Sequence, residues 1–474
     1  MKSPVLERPT SLSKRDAFAD LPPAWPDDLS ASNRVAASSR TLVVLDDDPT
    51  GTQTVSDVAV VTRWDAATLT AELATAPACF YILTNSRSLT PDSSHVLHRE
   101  LAENLRSAAA ATGRVIVVAS RSDSTLRGHF PLETDTLAEV LGSFDATLII
   151  PYFEAGGRFT LNDTHYVTEG DRLLPVAETA FAQDAAFGYR HSHLPSWIEE
   201  KTVGRVSAND VVSFSIDLLR RGGPAAVAHK LRSLPSAAVC VVNACAPHDI
   251  EVFAAGTLAA EQAGSRFLYR TAASFVAARI GQRHSGVLPS NVIARPTANG
   301  GLVVVGSHVP KTTAQLGHLL LGGNVVGIEL PVPALLDPAC RATAIRTSLG
   351  AANRAIADGR DTVLYTSRDF VASANRSDSL ETGRQISEAL ITVVRGLAVA
   401  PRYLIAKGGI TSSDIATQAL GVRRAQVLGQ ALPGVPVWQL GAETIAPGLG
   451  YVVFPGNVGD DLALLTLVQR LARR

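Results

Sequence analysis

Sulfur, aromatic rings and unbalanced charge are all scarce in this sequence, and each scarcity excludes something. The four cysteines (Cys79, Cys240, Cys245 and Cys340) are too few to staple 474 residues, and no two stand in a CxxC or other zinc spacing. A reducing compartment follows, and the cytoplasm is the expected location. Cys245 with His248 is at most half a metal site, whereas a closed site needs about four ligands, so no metal-ligand set is assigned. With 43 basic against 44 acidic residues the formal charge is -1, and no overall field favours nucleic acid or an anionic membrane. No run of about 18 apolar residues occurs, and the opening MKSPVLERPTSLSKRD lacks the apolar stretch of a signal peptide. Neither a membrane nor a nucleic acid is expected as a partner. What is plentiful is small and aliphatic: 46% hydrophobic residues, only 5% aromatic ones, 36 Gly and 26 Pro. That composition suits an Ala/Val/Leu-rich α/β enzyme with many tight turns.

At 474 residues, two or three domains of roughly 100 to 200 residues each are expected. Residues 1–38 have Pro22, Pro23 and Pro26 among polar neighbours and no apolar period, so they read as a poorly ordered extension. From TLVVLDDD onward, short β-branched runs (LVVL, VAVV, ACFYILT, RVIVVAS, ATLIIP, AVCVVNA) alternate with longer amphipathic stretches. A second series begins at GLVVVGS and continues through NVVGIEL, DTVLYTS, RYLIA, AQVLG and YVVFP. Strand and helix alternation of this kind predicts a mainly parallel sheet flanked by helices. The Gly/Pro/Ser/Asn-rich stretch HSGVLPSNVIARPTANGG separates the two series. We therefore expect two distinct α/β domains, over 39–285 and 301–474, joined by a linker at 286–300, with the active site in the cleft between them.

Polar clusters follow the strands of the first series, at the edge where open α/β sheets bind ligands. Asp46-Asp47-Asp48-Pro49-Thr50-Gly51 comes after the first strand. Three adjacent carboxylates repel one another, which a turn alone does not require; one can serve as a base or hold Mg²⁺ through water. Asn85-Ser86-Arg87-Ser88 follows the next. Arg121-Ser122-Asp123-Ser124-Thr125-Leu126-Arg127-Gly128 packs two guanidinium groups, a carboxylate and three hydroxyls into eight residues. Arginine grips a carboxylate through two parallel hydrogen bonds while Asp and Ser address hydroxyls, so the set suits a polyhydroxy acid. Pro151 to Arg158 follows ATLII, with Asn162, His165 and Tyr166 just beyond, and Arg190-His191-Ser192-His193 is a weaker fifth candidate.

The second series offers glycine turns. Gly306-Ser307-His308-Val309-Pro310-Lys311, Lys407-Gly408-Gly409-Ile410-Thr411 and Pro455-Gly456-Asn457-Val458-Gly459 each lie between a strand and a helix. Small residues let backbone N–H groups approach a ligand, and helix starts present donors that favour phosphate. None matches GxxxxGK[ST], and none is a properly placed GxGxxG. Three such turns in one domain point to a nucleotide phosphate site, with Lys311 and Lys407 as candidate cations.

Taken in order, DDxTG (Asp47–Gly51), DSTLRG (Asp123–Gly128), PxFxAGxR leading to HYV (Pro151–Val167), GGxTS (Gly408–Ser412) and PGNVG (Pro455–Gly459) make a pattern that resembles the four-carbon acid sugar kinases, over roughly 40–465. The resemblance implies a sugar-binding N-terminal domain, a nucleotide-binding C-terminal domain, and ATP- and Mg²⁺-dependent phosphorylation of the terminal hydroxyl of a C4 acid of the threonate, erythronate or 3-oxo-tetronate type. It implies ATP contacts at Ser307, Gly408, Gly409, Ile410, Thr411, Gly456 and Asn457. It implies sugar-acid contacts at Asp47, Asp48, Arg87, Asp123, Ser124, Arg127 and Arg158, and Arg121 joins these as a further anchor. Asp48 or Asp47 is expected to orient or deprotonate the attacking hydroxyl. Departures place the chain in a divergent branch: DDPTGTQTV where the family has DDLTGA, Arg121 for a lysine, Val309 for a second serine, and Ile410 for the acid of GGDT or GGET. A homodimer is compatible with this reading. The alternatives are a non-catalytic sugar-acid or nucleotide sensor and, less favoured without GxGxxG, a nicotinamide-dependent oxidoreductase.

Overall fold

The computed structural model describes residues 10–283, 286–368 and 376–472. Residues 1–9 of the expected extension, with His284 and Ser285 beside the expected linker, lie outside the described residues. The chain forms two compact units whose boundaries differ from those expected. The first takes the chain up to Asp47 and resumes at Arg63, while the second combines Asp48–Thr62 with the C-terminal stretch.

The first unit is built on a wholly parallel sheet, in the order Val212–Phe214, Ala238–Val242, Ala146–Ile150, Phe267–Thr271, Ile116–Arg121, Thr41–Asp46 and Cys79–Leu83. TLVVLD is buried at every position, as a strand covered on both faces requires. The helix Pro91–Thr112 starts where Thr90 caps the Ser93 amide and Pro91 presets the first turn, and stops at Gly113, whose φ is 65°. A small antiparallel sheet adds Leu12–Ser13, Arg172–Pro175, Thr164–Glu169 and Arg158–Leu161. Under the helical layer Phe130 stacks on Trp197, ring centroids 4.9 Å apart, among Ile149, Leu194, Ile198 and Val241.

The described part of the N-terminal stretch corrects the expectation of poor order. Leu12–Ser13 pairs with Arg172–Pro175, and helices form over Lys14–Ala19 and Ser30–Ala37. Buried Asn33 donates to the Glu251 and Ala278 carbonyls at 3.1 and 3.2 Å. Trp25 occupies the space above Gly223, where an added Cβ would come within 2.4 Å of its ring. These anchors are single residues among polar neighbours, and single residues make no period.

The second unit has parallel strands in the order Gly450–Phe454, Leu404–Lys407, Leu302–Val305, Thr362–Thr366 and Val326–Leu330. Beyond Gly450–Phe454 the sheet continues antiparallel through Val435–Leu440, Arg424–Leu432 and Val58–Val61. The VAVV run, expected in the first domain, therefore belongs to the second. The Asp57 amide donates to Val427 O at 2.7 Å, and Trp438 Nε1 donates to Thr52 Oγ1 at 3.0 Å. Nothing local in VAVV specifies a partner so distant in sequence. The expected linker is likewise part of this unit: the Leu288 amide donates to Gln430 O at 2.7 Å, and Ile293 lies in the core. That core joins Val305, Ile405, Val452 and Phe454 to Leu464, Leu467, Val468 and Leu471 of the last helix, each buried aliphatic chain contributing about 1.5–3 kcal/mol. No helix among the described residues is long and apolar enough to cross a membrane.

Candidate active site

In the first unit the polar clusters meet at the carboxyl edge of the parallel sheet. Thr41–Asp46 delivers Asp46 and Asp47, and neighbouring Ile116–Arg121 delivers Arg121, whose Nη1 lies 3.3 Å from Asp46 and 3.4 Å from Asp47. Arg121 is 4% exposed, so it ties the two turns together rather than presenting itself openly. Arg87, on the turn after Cys79–Leu83, reaches Asp47 at 3.8 Å and Asp123 at 3.4 Å. Arg127 Nε donates to Asp123 at 2.7 Å, and Thr125 donates to the same carboxylate. Burial opposes ionisation of Asp123, but Arg127 and Arg87 overcome it and hold its carboxyl well below the usual carboxylate range. Asp123 is therefore charged and fully engaged.

Arg158 differs from its neighbours. It has no ion pair, and its Nε is buried without a hydrogen-bond partner among the described residues. Arg127 and Arg158 lie over the Phe181 ring at 5.1 and 5.5 Å. Burial lowers the Arg158 pKa, opposed by Asp123. A half-buried guanidinium with an unmet Nε donor is suited to receive an anion.

The DSTLRG turn is held from beneath through its carbonyls. His165 Nε2 donates to Ser124 O at 2.8 Å, Tyr189 Oη donates to Thr125 O at 2.6 Å, and Arg270 Nη2 donates to Arg127 O at 3.3 Å. Burial lowers the His165 imidazole to about 4, so the ring is neutral near pH 7. Its Nε2 then carries the proton and Nδ1 accepts from Thr160 Oγ1 at 2.9 Å. With the carbonyls turned inward, Leu126 at φ 69° and Gly128 at φ 120° complete a tight turn. An added Cβ at Gly128 would make only ordinary contact with Asp47 Oδ2, at 3.5 Å, so it is the φ of 120° that calls for glycine there. Glu133 performs a similar service: Ser86 and Ser120 donate to its two oxygens at 2.6 and 3.1 Å, fixing the residues next to Arg87 and Arg121.

In the second unit the three glycine turns converge on Ser307. A Cβ added at Gly408 would lie 2.8 Å from Ser307 Cβ, one at Gly456 would lie 3.5 Å from Ser307 Oγ, and one at Gly306 would lie 2.5 Å from Thr411 Oγ1. Gly408 has φ 112°, open to glycine alone in practice. The PGNVG turn is pinned by its carbonyls as well. Lys407 Nζ donates to Pro455 O at 2.7 Å, Thr312 donates to Gly456 O at 3.1 Å, and Gln315 donates to Val458 O and Asp460 O at 3.0 and 2.6 Å. Burial, with Lys311 adding to it, brings the Lys407 ammonium down to about 7. Lys311 itself is more exposed and pairs with Asp461 at 3.3 Å.

Asp48 belongs with these turns. It caps the following turn by accepting from the Thr50 amide at 2.9 Å, and a Cβ on Gly409 would lie 2.6 Å from its Oδ2. The sequence pattern grouped Asp47 and Asp48 on the sugar side, whereas the unit boundary separates them. Ile410 is 61% exposed and Asn457 is exposed. The RHSH cluster takes no part: Arg190 pairs with Glu200 at 3.4 Å and His193 meets Ser196 at 2.9 Å.

Sequence reasoning missed Glu133, Tyr189, Arg270 and Gln315. Glu133, Arg270 and Gln315 lie inside helices or strands with no turn signal to mark them, and Tyr189 is overshadowed by the RHSH cluster beside it. No group of three or more His, Cys, Asp or Glu side chains that could hold a metal occurs among the described residues. A Mg²⁺ site of the usual kind needs only one or two carboxylates plus substrate phosphates, and Asp48 beside Gly409 fits that donor set.

An α/β sheet with phosphate-suited turns in one unit and a paired Asp/Arg set in the other defines a class, and comparison with known proteins makes it specific. A sugar-binding N-terminal domain model matches 42–279 and a nucleotide-binding C-terminal domain model matches 302–464. The chain belongs to the four-carbon acid sugar kinase family. It is 29% identical over 362 residues to a 3-oxo-tetronate kinase of Cupriavidus necator, covering 73% of this chain and 77% of that one. A D-threonate kinase of Bordetella bronchiseptica is 25% identical over 413 residues, covering 83% and 86%. The crystal structure of a Haemophilus influenzae protein shares the fold, with a TM-score of 0.59 at 18% identity over 90% of this chain and 99% of that one.

Proposed function

We propose that this protein is an ATP-dependent kinase that phosphorylates the terminal hydroxyl of a four-carbon acid sugar of the threonate, erythronate or 3-oxo-tetronate type. The observation that carries the reading is the convergence of three glycine turns on Ser307 with the Asp48 carboxylate beside them. Such a cradle suits a chain of phosphates, and the carboxylate beside Gly409 is one that would share a cation with them. On the sugar side, the unpaired Arg158 guanidinium receives the acid's carboxylate, while Asp123, Ser124, Arg87 and Arg127 address its hydroxyls. Ser307, Gly408, Gly409, Ile410, Thr411, Gly456 and Asn457 form the nucleotide side.

Phosphoryl transfer is chiefly a matter of positioning and of neutralising charge. Asp47, held by Arg121 and Arg87, orients the attacking hydroxyl and accepts its proton. Asp48, with the nucleotide phosphates, would hold Mg²⁺, which when bound supplies positive charge to the phosphate oxygens. Backbone N–H groups of the Gly408 and Gly456 turns stabilise the charge that develops on the transferring group.

Release of ADP, measured with the three acids at high Mg²⁺, tests the proposal. Turnover of at least one acid is expected, and none with any of them defeats it. Asp47→Asn separates the enzyme from the sensor reading: an enzyme loses turnover by about 10²- to 10⁴-fold, the worth of a general base, while both ligands still bind.

A further inference from the structure

One cation on the nucleotide side belongs to none of the glycine turns. Arg368 follows the strand Thr362–Thr366, which runs parallel to Leu302–Val305 with Tyr365 opposite Val305. Its backbone therefore leaves the sheet beside the Ser307 turn. Nη2 donates to Ser307 O at 2.6 Å and to Thr313 Oγ1 at 2.7 Å, which fixes the guanidinium plane against that turn. Nε and Nη1 are buried and have no hydrogen-bond partner among the described residues. Nε carries one and Nη1 two of the five guanidinium N–H donors, so most of the group's donors lack an acceptor. No carboxylate pairs with it among the described residues, and burial lowers its pKa. His308 lies on the same turn and is bonded to Thr366 Oγ1 at 3.2 Å; an imidazole is neutral or cationic, so it supplies no compensating anion, and burial and then the nearby Arg368 charge depress its pKa.

A guanidinium oriented by two hydrogen bonds, with its other donors unmet, is a preformed receptor for an anion. The Ser307 turn is where the glycine cradle would hold phosphates. We propose that Arg368 is a phosphate-binding residue of the nucleotide site, meeting the phosphate chain of a nucleoside triphosphate directly through Nε and Nη1. The assignment rests on the kinase reading above and adds a residue to it. Lysine cannot substitute fully, because a point charge does not keep both the ties to Ser307 and Thr313 and a second set of donors.

Calorimetric titration of the full chain with ATP and, separately, with adenosine tests it on wild type, Arg368→Leu and Arg368→Lys. Arg368→Leu should weaken ATP binding by about 10- to 100-fold, the worth of hydrogen bonds to a charged group, and leave adenosine within twofold. Arg368→Lys should recover part of the loss. In steady state the KM for ATP should rise while that for the sugar acid holds. ATP affinity within twofold of wild type in Arg368→Leu overturns the assignment. So does an equal loss of ATP and adenosine with a lowered thermal midpoint, which is the mark of a structural prop; Arg368→Gln, which keeps an amide donor toward Ser307, must then regain both ligands together. Failure of the wild type to bind ATP overturns the kinase reading itself.

Discussion

Replacing Gly409 by alanine isolates the placement of one carboxylate. An ideal Cβ at this position lies 2.6 Å from Asp48 Oδ2 and 3.3 Å from its Cγ, whereas ordinary contact begins near 3.4 Å. The carboxylate must therefore retreat by about 0.8 Å, in the range where misplacement of a reacting group costs about 10²-fold. That is about 2.7 kcal/mol of transition-state stabilisation. Stability should barely change, because Gly409 has no positive φ and the obstacle is the movable end of a side chain. A shift within about 1 kcal/mol is expected. The assay is kcat from ADP release beside the thermal midpoint, for Gly409→Ala, Asp48→Asn and the double variant. If the alanine acts through Asp48, the double variant is no slower than Asp48→Asn alone. A kcat for Gly409→Ala within twofold of wild type, or fully multiplicative losses in the double variant, refutes the reasoning.

Two further outcomes follow from the sugar side. The His165 imidazole is held by burial to about 4 in the folded chain against an ordinary 6.5, so unfolding takes up a proton between those values. The stabilisation is fully present above about pH 6.5 and fades as pH falls through 4, a change of about 3 kcal/mol; urea unfolding at pH 7 and 4.5 should show this loss in wild type and much less of it in His165→Gln, and equal slopes would rule it out. Arg158→Leu should raise the KM for the sugar acid by about 10- to 100-fold without altering that for ATP. Its thermal midpoint should hold because Arg158 is half-buried and makes no ion pair among the described residues, and an unchanged sugar-acid KM speaks against Arg158 as the carboxylate anchor.

Much of the candidate site could be picked out because it is built from turns. Asp47, Arg87, Arg121 and Asp123 all follow β-branched runs, and a strand followed by a polar cluster announces the ligand edge of a parallel sheet. The glycines at 306, 408 and 456 could be read in the same way. The supports were less legible. His165, Tyr189 and Arg270 act on carbonyls of the DSTLRG turn; the sequence singled out only His165, and not for this task, because a side chain that serves a distant carbonyl leaves no local pattern of its role. Arg121 read as an open anchor because its burial depends on Asp46 and Asp47 rather than on its own neighbours. Asp48 was grouped with Asp47 because adjacency in sequence suggests adjacency in role, yet only the pairing of Val58–Val61 with Arg424–Leu432 reveals to which unit it belongs. The antiparallel half of the second sheet escaped for a related reason: AQVLG and PVWQL form a hairpin closed at Gly434, φ 77°, with no Asn-Gly signal to mark it.

The loan of residues 48–62 to the second unit bears on how the protein is made. Thr52 and Trp438, which bond to each other, stand 386 positions apart, so the early segment leaves the ribosome long before its partners exist. At about 5–20 residues per second the wait lasts on the order of 20 to 80 s, with VAVV, a short apolar run, still lacking the Arg424–Leu432 strand that it pairs with in the second unit. The second unit must therefore be the last to close, and a polypeptide beginning at residue 286 would lack the strand that borders Arg424–Leu432 together with Asp48 itself. Expressed alone, that fragment should precipitate or bind chaperones, and supplying residues 48–62 as a separate peptide should restore its solubility.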